Sequence, residues 1–292
     1  FYASTKGIRF TLLLVPAFSL AFGAALGITY RYLNGWLSKE LNIPKILSSA
    51  VVFILLGSLL FTPVNVYANS YNAARQDVPL INDAWWDSLK AIQKNSSEDA
   101  IITSWWDFGH HFKYIADRKV TFDGTTQVSP QAHWVGRFFM EEDENLAVGI
   151  LRMPDCGGNS AFNKHHEVED HTVRSINIIY DILPLTDIEA VDRLTGKYEL
   201  TEEQAQNVLQ YTHCQPPDAY VIASEDMIGK SGVWAHFGSW NFERAEIARN
   251  VKGMDLNEAV AYMQERFNYS ESQARNIYQQ VQGFGTERDE NT

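Results

Sequence analysis

The chain has 292 residues, 45% of them apolar and 21% charged, with a net charge of −12, an ordinary globular mixture long enough for one large domain or two small ones. The charge is uneven: residues 1–70 carry Lys6, Arg9, Arg31, Lys39 and Lys45 against Glu40 alone, a net +4, so the remainder carries −16. A remainder so acidic repels phosphates over its surface, which argues against nucleic acid as a partner.

The basic first part reads as a membrane unit. Phe10 to Tyr30 is 21 residues without a charge, and Ile46 to about Val66 is a second apolar stretch; each is long enough to cross roughly 30 Å of hydrocarbon. The link of residues 31–45 holds Arg31, Lys39 and Lys45, so by the positive-inside tendency it faces the cytoplasm, leaving everything after residue 70 outside. A pair of buried helices in a soluble protein is the alternative. No cleavable leader is recognisable, and a chain that starts without Met and enters an apolar segment almost at once reads as the tail of something longer. The expected fold is thus an all-α transmembrane hairpin over residues 1–70. An α+β, mainly helical, extracytoplasmic globular domain follows over residues 71–292.

After a polar connector over 67–80, Trp85, Trp86, Leu89 and Ile92 fall on one helical face, with Asp87 on the solvated side. Asp99 to Ser104 reads as a short buried strand running into Trp105-Trp106-Asp107-Phe108-Gly109, and His110 to Arg118 as a helix. A second strand over Lys119 to Asp123 ends at Gly124. Helices are expected at about 131–151 and 172–183, and two capping boxes, Thr186-Asp-Ile-Glu189 and Thr201-Glu-Glu-Gln204, announce two more. Asp218 to Ala223 is a further strand, and 255–267 with 270–282 a closing pair of amphipathic helices. Cys156 and Cys214 both lie in turn-like contexts; outside the cell a disulfide between them is permitted, and free or metal-bound thiols are the alternatives.

Residues 105–107 carry the most chemistry. A side-chain hydroxyl both donates and accepts, whereas an indole N–H only donates and an ionised carboxylate only accepts; Trp105, Trp106 and Asp107 together can therefore satisfy one Ser or Thr hydroxyl. Such a site recognises, and by itself does not react. The competing structural reading has two Trp rings filling a core while Asp107 caps a helix. His165, His166 and His171 with Glu167, Glu169 and Asp170 suggest a metal cluster, which would make the chain an outer-face metallohydrolase, but their spacing matches no familiar zinc motif. Asn95-Ser96-Ser97 and Asn268-Tyr269-Ser270 are acceptor sequons in their own right.

The ordered block Thr103-Ser-Trp-Trp-Asp-Phe-Gly109, Ile115-Ala-Asp-Arg-Lys119 and Asp123-Gly124 resembles the catalytic subunit of oligosaccharyltransferase, archaeal single-subunit type, whose hallmark is Trp-Trp-Asp-Tyr-Gly. Phe108 stands where that motif has Tyr, a loss of one phenol. The resemblance runs from Gly7 to about Phe242 and weakens in the last helices. It implies transfer of a glycan from a lipid-linked, polyprenyl phosphate donor to Asn in Asn-x-Ser/Thr sequons of an acceptor protein. In that family the motif here matched by Trp105, Trp106 and Asp107 binds the hydroxyl two residues beyond the Asn.

A second family motif, of a Met/Ile or an Asp/Lys kind, has its ingredients in Ser224-Glu-Asp-Met-Ile-Gly-Lys230, which implies Met227 and Lys230 as further pocket residues; Asp226 with Lys230 also fits. Arg9, in Gly7-Ile-Arg-Phe10 at the edge of the first span, resembles the Arg that holds the donor phosphate, a role suited to the forked guanidinium. The family also uses a divalent cation, Mg2+ or Mn2+, held by carboxylates in external loops. No acid precedes Glu40 here, so neither catalytic residues nor metal ligands are expected within this chain. A membrane-anchored peptide-binding module without catalysis is the rival reading.

Overall fold

A computed structural model describes residues 8–58, 65–127 and 130–283, with the side chains of residues 8–10 outside that description. The chain divides into two compact units, Phe1–Leu80 and Ile81–Thr292, beyond the expected boundary at residue 70.

In the first unit a tight helical segment, Ile8–Leu14, leads into α1 (Val15–Glu40), and α2 (Lys45–Ser58) packs against α1. Thr11–Glu40 is long and apolar enough to cross a membrane; α2 is a shorter apolar helix, and residues 59–64 of the expected second span lie outside the described residues. Most of the link over 31–45 is helical: α1 continues through Arg31 and Lys39 to Glu40, and the turn before α2 is 41–44. No proline lies between Arg31 and Glu40, and a single glycine, Gly35, is tolerated within a long helix, whereas Pro44 disfavours helical backbone at the residue before it. The hairpin is clamped near this turn by Asn34, whose Nδ2 donates to Ser49 Oγ at 2.8 Å while Ser48 Oγ donates to Asn34 O at 3.0 Å. The connector expected over 67–80 is likewise largely helical, as α3 (Val66–Gln76), with Asn65 accepting from Ala68 N at its start.

The second unit begins with α4 (Asp83–Asn95), then β1 (Ile101–Thr103), α5 (Gly109–Ile115) and β2 (Lys119–Val120). Six helices follow, the expected helix over 131–151 being two: α6 (Gln131–Phe138), α7 (Glu144–Gly157), α8 (Ser160–His166), α9 (Thr172–Ile182), α10 (Asp187–Asp192) and α11 (Glu202–Thr212). The break comes where Asp143 accepts from Leu146 N and starts a new helix. Both predicted capping boxes form, at Thr186 and Thr201. After them come β3 (Ala219–Val221), α12 (Glu225–Gly229), α13 (Ser231–Gly238) and the closing helices α14 (Phe242–Val251), α15 (Leu256–Phe267) and α16 (Glu271–Gln282).

The three strands form one parallel sheet in the order β2-β1-β3, with Ile101 opposite both Lys119 and Ala219. β1 is buried along its length because it is flanked on both edges. The chain leaves β1 toward β2 through α5 and returns on the other side as β3, so the carboxyl end of β1 is the point where strand order reverses. In open parallel sheets that is where ligands bind. Leu89 of α4 and Phe112 of α5 join Ile102 in the core beneath the sheet. A second core lies among α6–α11 around Ile150, Ile179 and Leu194, and a third joins α14, α15 and α16. Cys156 and Cys214 are joined in a disulfide, tying α7 to the segment after α11.

Candidate functional site at the carboxyl edge of the sheet

β1 and β3 are parallel neighbours, so the segments that follow them emerge at the same edge. β1 delivers Trp105–Gly109 there and β3 delivers Ser224–Lys230, which brings together two motifs more than a hundred residues apart in the chain.

Trp105 is 2% exposed, set edge-on to Phe122 with ring centroids 5.1 Å apart, in a cluster with Met227 and Val135. It forms a rigid wall rather than an open indole surface. Trp106 is half-buried at the border of the same cluster. Asp107 follows in a single tight turn, Trp106–Phe108, that runs into α5. Its Oδ1 receives Lys230 Nζ at 3.0 Å, while its Oδ2 is buried and has no hydrogen-bond partner. A carboxylate oxygen held out of water with nothing donating to it is costly, and it is the arrangement expected of a group whose partner arrives with a ligand.

Lys230 is shared. Its Nζ also donates to Asp226 Oδ2 at 2.7 Å and stands 5.8 Å from the centroid of the Phe108 ring. Burial would lower the pKa of Lys230, but the bonds to Asp226 and Asp107 outweigh it and hold the ammonium above its usual range. For Asp226, burial pushes upward and the hydrogen bonds from Lys230 and Ser224 prevail, so its carboxyl lies below the ordinary carboxylate range. The site is therefore one cation between two carboxylates. Met227 points the other way: it is 7% exposed, lies 3.6 Å from Ser104 Oγ through its sulfur, and its carbonyl accepts from Trp234 Nε1 at 3.0 Å. The ion pair that joins the two segments is thus Lys230–Asp107, with Asp226 holding Lys230 from its own segment and Met227 packed with Trp105 in the core.

The rest of the sequence block has structural work. Gly109 has ordinary helical torsions, yet a Cβ there would lie 2.5 Å from Asp123 Cβ and 2.8 Å from Phe122 O. Its glycine is required for space. Asp123 is buried and bonded by Lys113 and by Thr125 N and Oγ1; burial pushes its carboxyl up, but those bonds and the Lys113 charge draw it far below the usual range. Arg118, 8% exposed, donates to Gln93 O at 2.7 Å and Ser96 O at 3.0 Å, pinning the end of α4.

Sequence reasoning missed Trp85. In the first Trp-Trp-Asp, Trp86 is 48% exposed and Asp87 is exposed, while Trp85 packs on Phe108 in a tilted arrangement with centroids 4.8 Å apart. Trp85 thus backs the Phe108 ring, whose centroid lies 5.8 Å from the Lys230 ammonium. Apolar periodicity placed Trp85 inward, but nothing in sequence named its neighbour.

Two of the histidines of the 165–171 cluster are engaged within the fold. Buried His165 places Nδ1 3.0 Å from Ser175 Oγ, and His171 starts α9 and reaches Arg266 O at 3.0 Å, so both have packing roles. Among the described residues no group of three or more His, Cys, Asp or Glu side chains is placed to hold a metal ion. Residues present in the described structure therefore do not fit a divalent cation centre. Arg9 falls in Ile8–Leu14, and its side chain is outside the described residues.

Residues 97–244 match the STT3/PglB/AglB core domain. The chain is 31% identical over 302 aligned positions to a dolichyl-phosphooligosaccharide-protein glycotransferase of Methanocaldococcus jannaschii, covering 82% of this chain and 32% of that protein. It is 33% identical over 225 positions to the protein of that name from Methanococcus voltae, covering 75% of this chain and 24% of the relative. Similarity to the undecaprenyl-diphosphooligosaccharide–protein glycotransferase of Campylobacter jejuni is 28% over 157 positions, 52% of this chain and 20% of that protein. The chain thus spans a third or less of these relatives' lengths.

Proposed function

Because this chain belongs to the STT3/PglB/AglB core-domain family, we propose that it is the C-terminal portion of an oligosaccharyltransferase that transfers a glycan from a lipid-linked polyprenyl phosphate donor to Asn in Asn-x-Ser/Thr sequons. Its own part is recognition of the Ser or Thr hydroxyl. The observation that carries this reading is the buried, unpartnered Oδ2 of Asp107 beside an Oδ1 held by Lys230.

An incoming hydroxyl donates to Oδ2 and so satisfies the buried carboxylate oxygen left without a donor at this edge of the sheet. Lys230 holds the carboxylate through Oδ1, so a residue without a hydroxyl leaves Oδ2 desolvated and unpaired. Trp106, next to Asp107 in the chain, packs against the cluster that holds Trp105 and Met227, which stiffens the turn bearing the carboxylate. Such a preorganised site discriminates more sharply than a mobile one, because little ordering remains to be done on binding.

In this reading the second unit faces the oxidising, extracytoplasmic side, which the Cys156–Cys214 disulfide supports. The first unit lies in a multi-spanning cell membrane, and Arg9 meets the donor phosphate at its edge. The divalent cation and the carboxylates that activate the acceptor amide belong to a longer protein.

The test is glycan transfer to fluorescent peptides by the full-length protein, with Lys230→Met beside the wild type. Transfer to an Asn-x-Thr peptide, its loss when Thr becomes Ala, and a raised KM in the variant support the reading. Peptide binding without transfer by the full-length protein would instead make it a non-catalytic module.

A further inference from the structure

The acceptor chemistry assigned to the site also describes a segment of this chain. We propose that Asn95 is itself a glycan acceptor, modified by the transfer reaction proposed above, on which this inference rests. An acceptor must present a carboxamide and, two residues on, a hydroxyl that no other group has claimed. The two sequons in this chain, Asn95-Ser96-Ser97 and Asn268-Tyr269-Ser270, differ in that respect.

At the first, Asn95 and Ser97 are exposed, and the Ser97 hydroxyl makes no hydrogen bond to any described residue. Asn95 is the last residue of α4, and its carboxamide donates only to Ala91 O, at 2.8 Å, across an exposed helix end. Helix ends are where backbone opens most readily. Ser96 between them is already extended, with φ −117° and ψ 159°, and an extended middle residue is what lets two side chains at i and i+2 be read from one side. Arg118 holds that middle residue from beneath, through Ser96 O and Ser96 Oγ, and takes neither flanking side chain.

At the second, Asn268 is in the left-handed region at φ 58°, and the Ser270 hydroxyl is occupied as the start of α16. It accepts from Gln273 N and donates to Gln273 Oε1 at 2.8 Å in a capping box. Between them the Tyr269 hydroxyl donates to the Glu243 carboxylate. Reading this sequon would require dismantling the junction of α15 and α16.

The reaction at Asn95 is a substitution at the anomeric carbon of the lipid-linked glycan. The carboxamide nitrogen forms the new C–N bond, the bond from that carbon to the phosphate oxygen breaks with its electron pair kept by the phosphate, which departs on its lipid, and one amide proton passes to water.

The experiment is peptide mapping by mass spectrometry of the full-length protein isolated from its own cells, beside transfer to a supplied sequon peptide by the same membranes. The expected result is a peptide containing Asn95 that carries monosaccharide mass increments, with the Asn268 peptide predominantly bare. Asn95→Gln and Ser97→Ala remove the increments, and Ser97→Thr retains them. A bare Asn95 in membranes that do glycosylate the supplied peptide overturns this proposal and leaves the transferase reading standing. A glycan at Asn268 alone also overturns it. Membranes that glycosylate no sequon peptide overturn both.

Discussion

Replacing Asp107 with Asn keeps the shape of the side chain and removes its charge, which isolates the hydroxyl-reading argument. In the wild type, Oδ1 belongs to Lys230 at 3.0 Å and Oδ2 is open. In Asp107→Asn the amide must either turn its NH2 toward the ammonium, which repels it, or toward the ligand, where a donor faces a hydroxyl instead of an acceptor. A hydrogen bond to a charged group contributes about 1.5–3 kcal/mol, so the loss is roughly ten- to a hundredfold in kcat/KM for the acceptor. The Asp107 and Lys230 side chains are 26% and 34% exposed, so solvent screens the pair and its removal costs less than about 1 kcal/mol of stability.

The assay is a double-mutant cycle. Peptides with Thr or its isostere Val at the second position after Asn are compared on the full-length wild type and on Asp107→Asn. The wild type should prefer Thr by the full factor and the variant should hardly distinguish the two, while thermal unfolding stays close to that of the wild type. A coupling energy below about 0.5 kcal/mol, with the variant still preferring Thr, would refute the assignment of Oδ2 as the hydroxyl acceptor.

Three further outcomes test the scaffold. Reducing Cys156–Cys214, which are 58 residues apart in sequence, should destabilise the second unit by about 2–4 kcal/mol on loop-closure grounds, visible as a lower denaturation midpoint in reductant. Gly109→Ala should cost about 1–3 kcal/mol, since its Cβ meets Asp123 and Phe122, and it should weaken acceptor recognition by shifting the turn that bears Asp107. Burial raises the Asp155 carboxyl to about 6, only partly offset by the hydrogen bond from Thr121 Oγ1 at 2.7 Å.

A carboxyl raised in the folded state contributes stability that is fully present below the unfolded value of about 3.8 and is lost as pH rises through about 6. Asp155→Asn should therefore stabilise the protein by roughly 1–3 kcal/mol at pH 7.5 and have little effect near pH 3.5, as read from denaturant midpoints. His133, pushed down to about 4 by burial, has the opposite sign: its contribution is present above pH 6.5 and is lost as pH falls through about 4. It titrates in both proteins and cancels from the difference.

Much of this protein was legible from local signals, because local physics decides them. Hydrophobic periodicity placed α4, α9, α15 and α16, and reciprocal capping marked the starts of α10 and α11, since both depend on residues within a few positions of one another. An uncharged run of membrane length gave α1, but no sequence pattern said that the helix would run on to Glu40, because Arg31 and Lys39 do not break helices. Donor and acceptor inventory singled out Asp107, the carboxylate proposed to read the hydroxyl.

Tertiary structure alone decided what surrounds that carboxylate. The parallel pairing of β1 with β3 carries Asp226 and Lys230 to the edge where Asp107 emerges; strand partners are chosen by burial across the whole domain and leave no mark at either position. It also turned Met227 into the core, closed Cys156 onto Cys214, and set Trp85 under Phe108. Composition names the groups that can bind a hydroxyl, whereas only the fold determines which oxygen is left open for it.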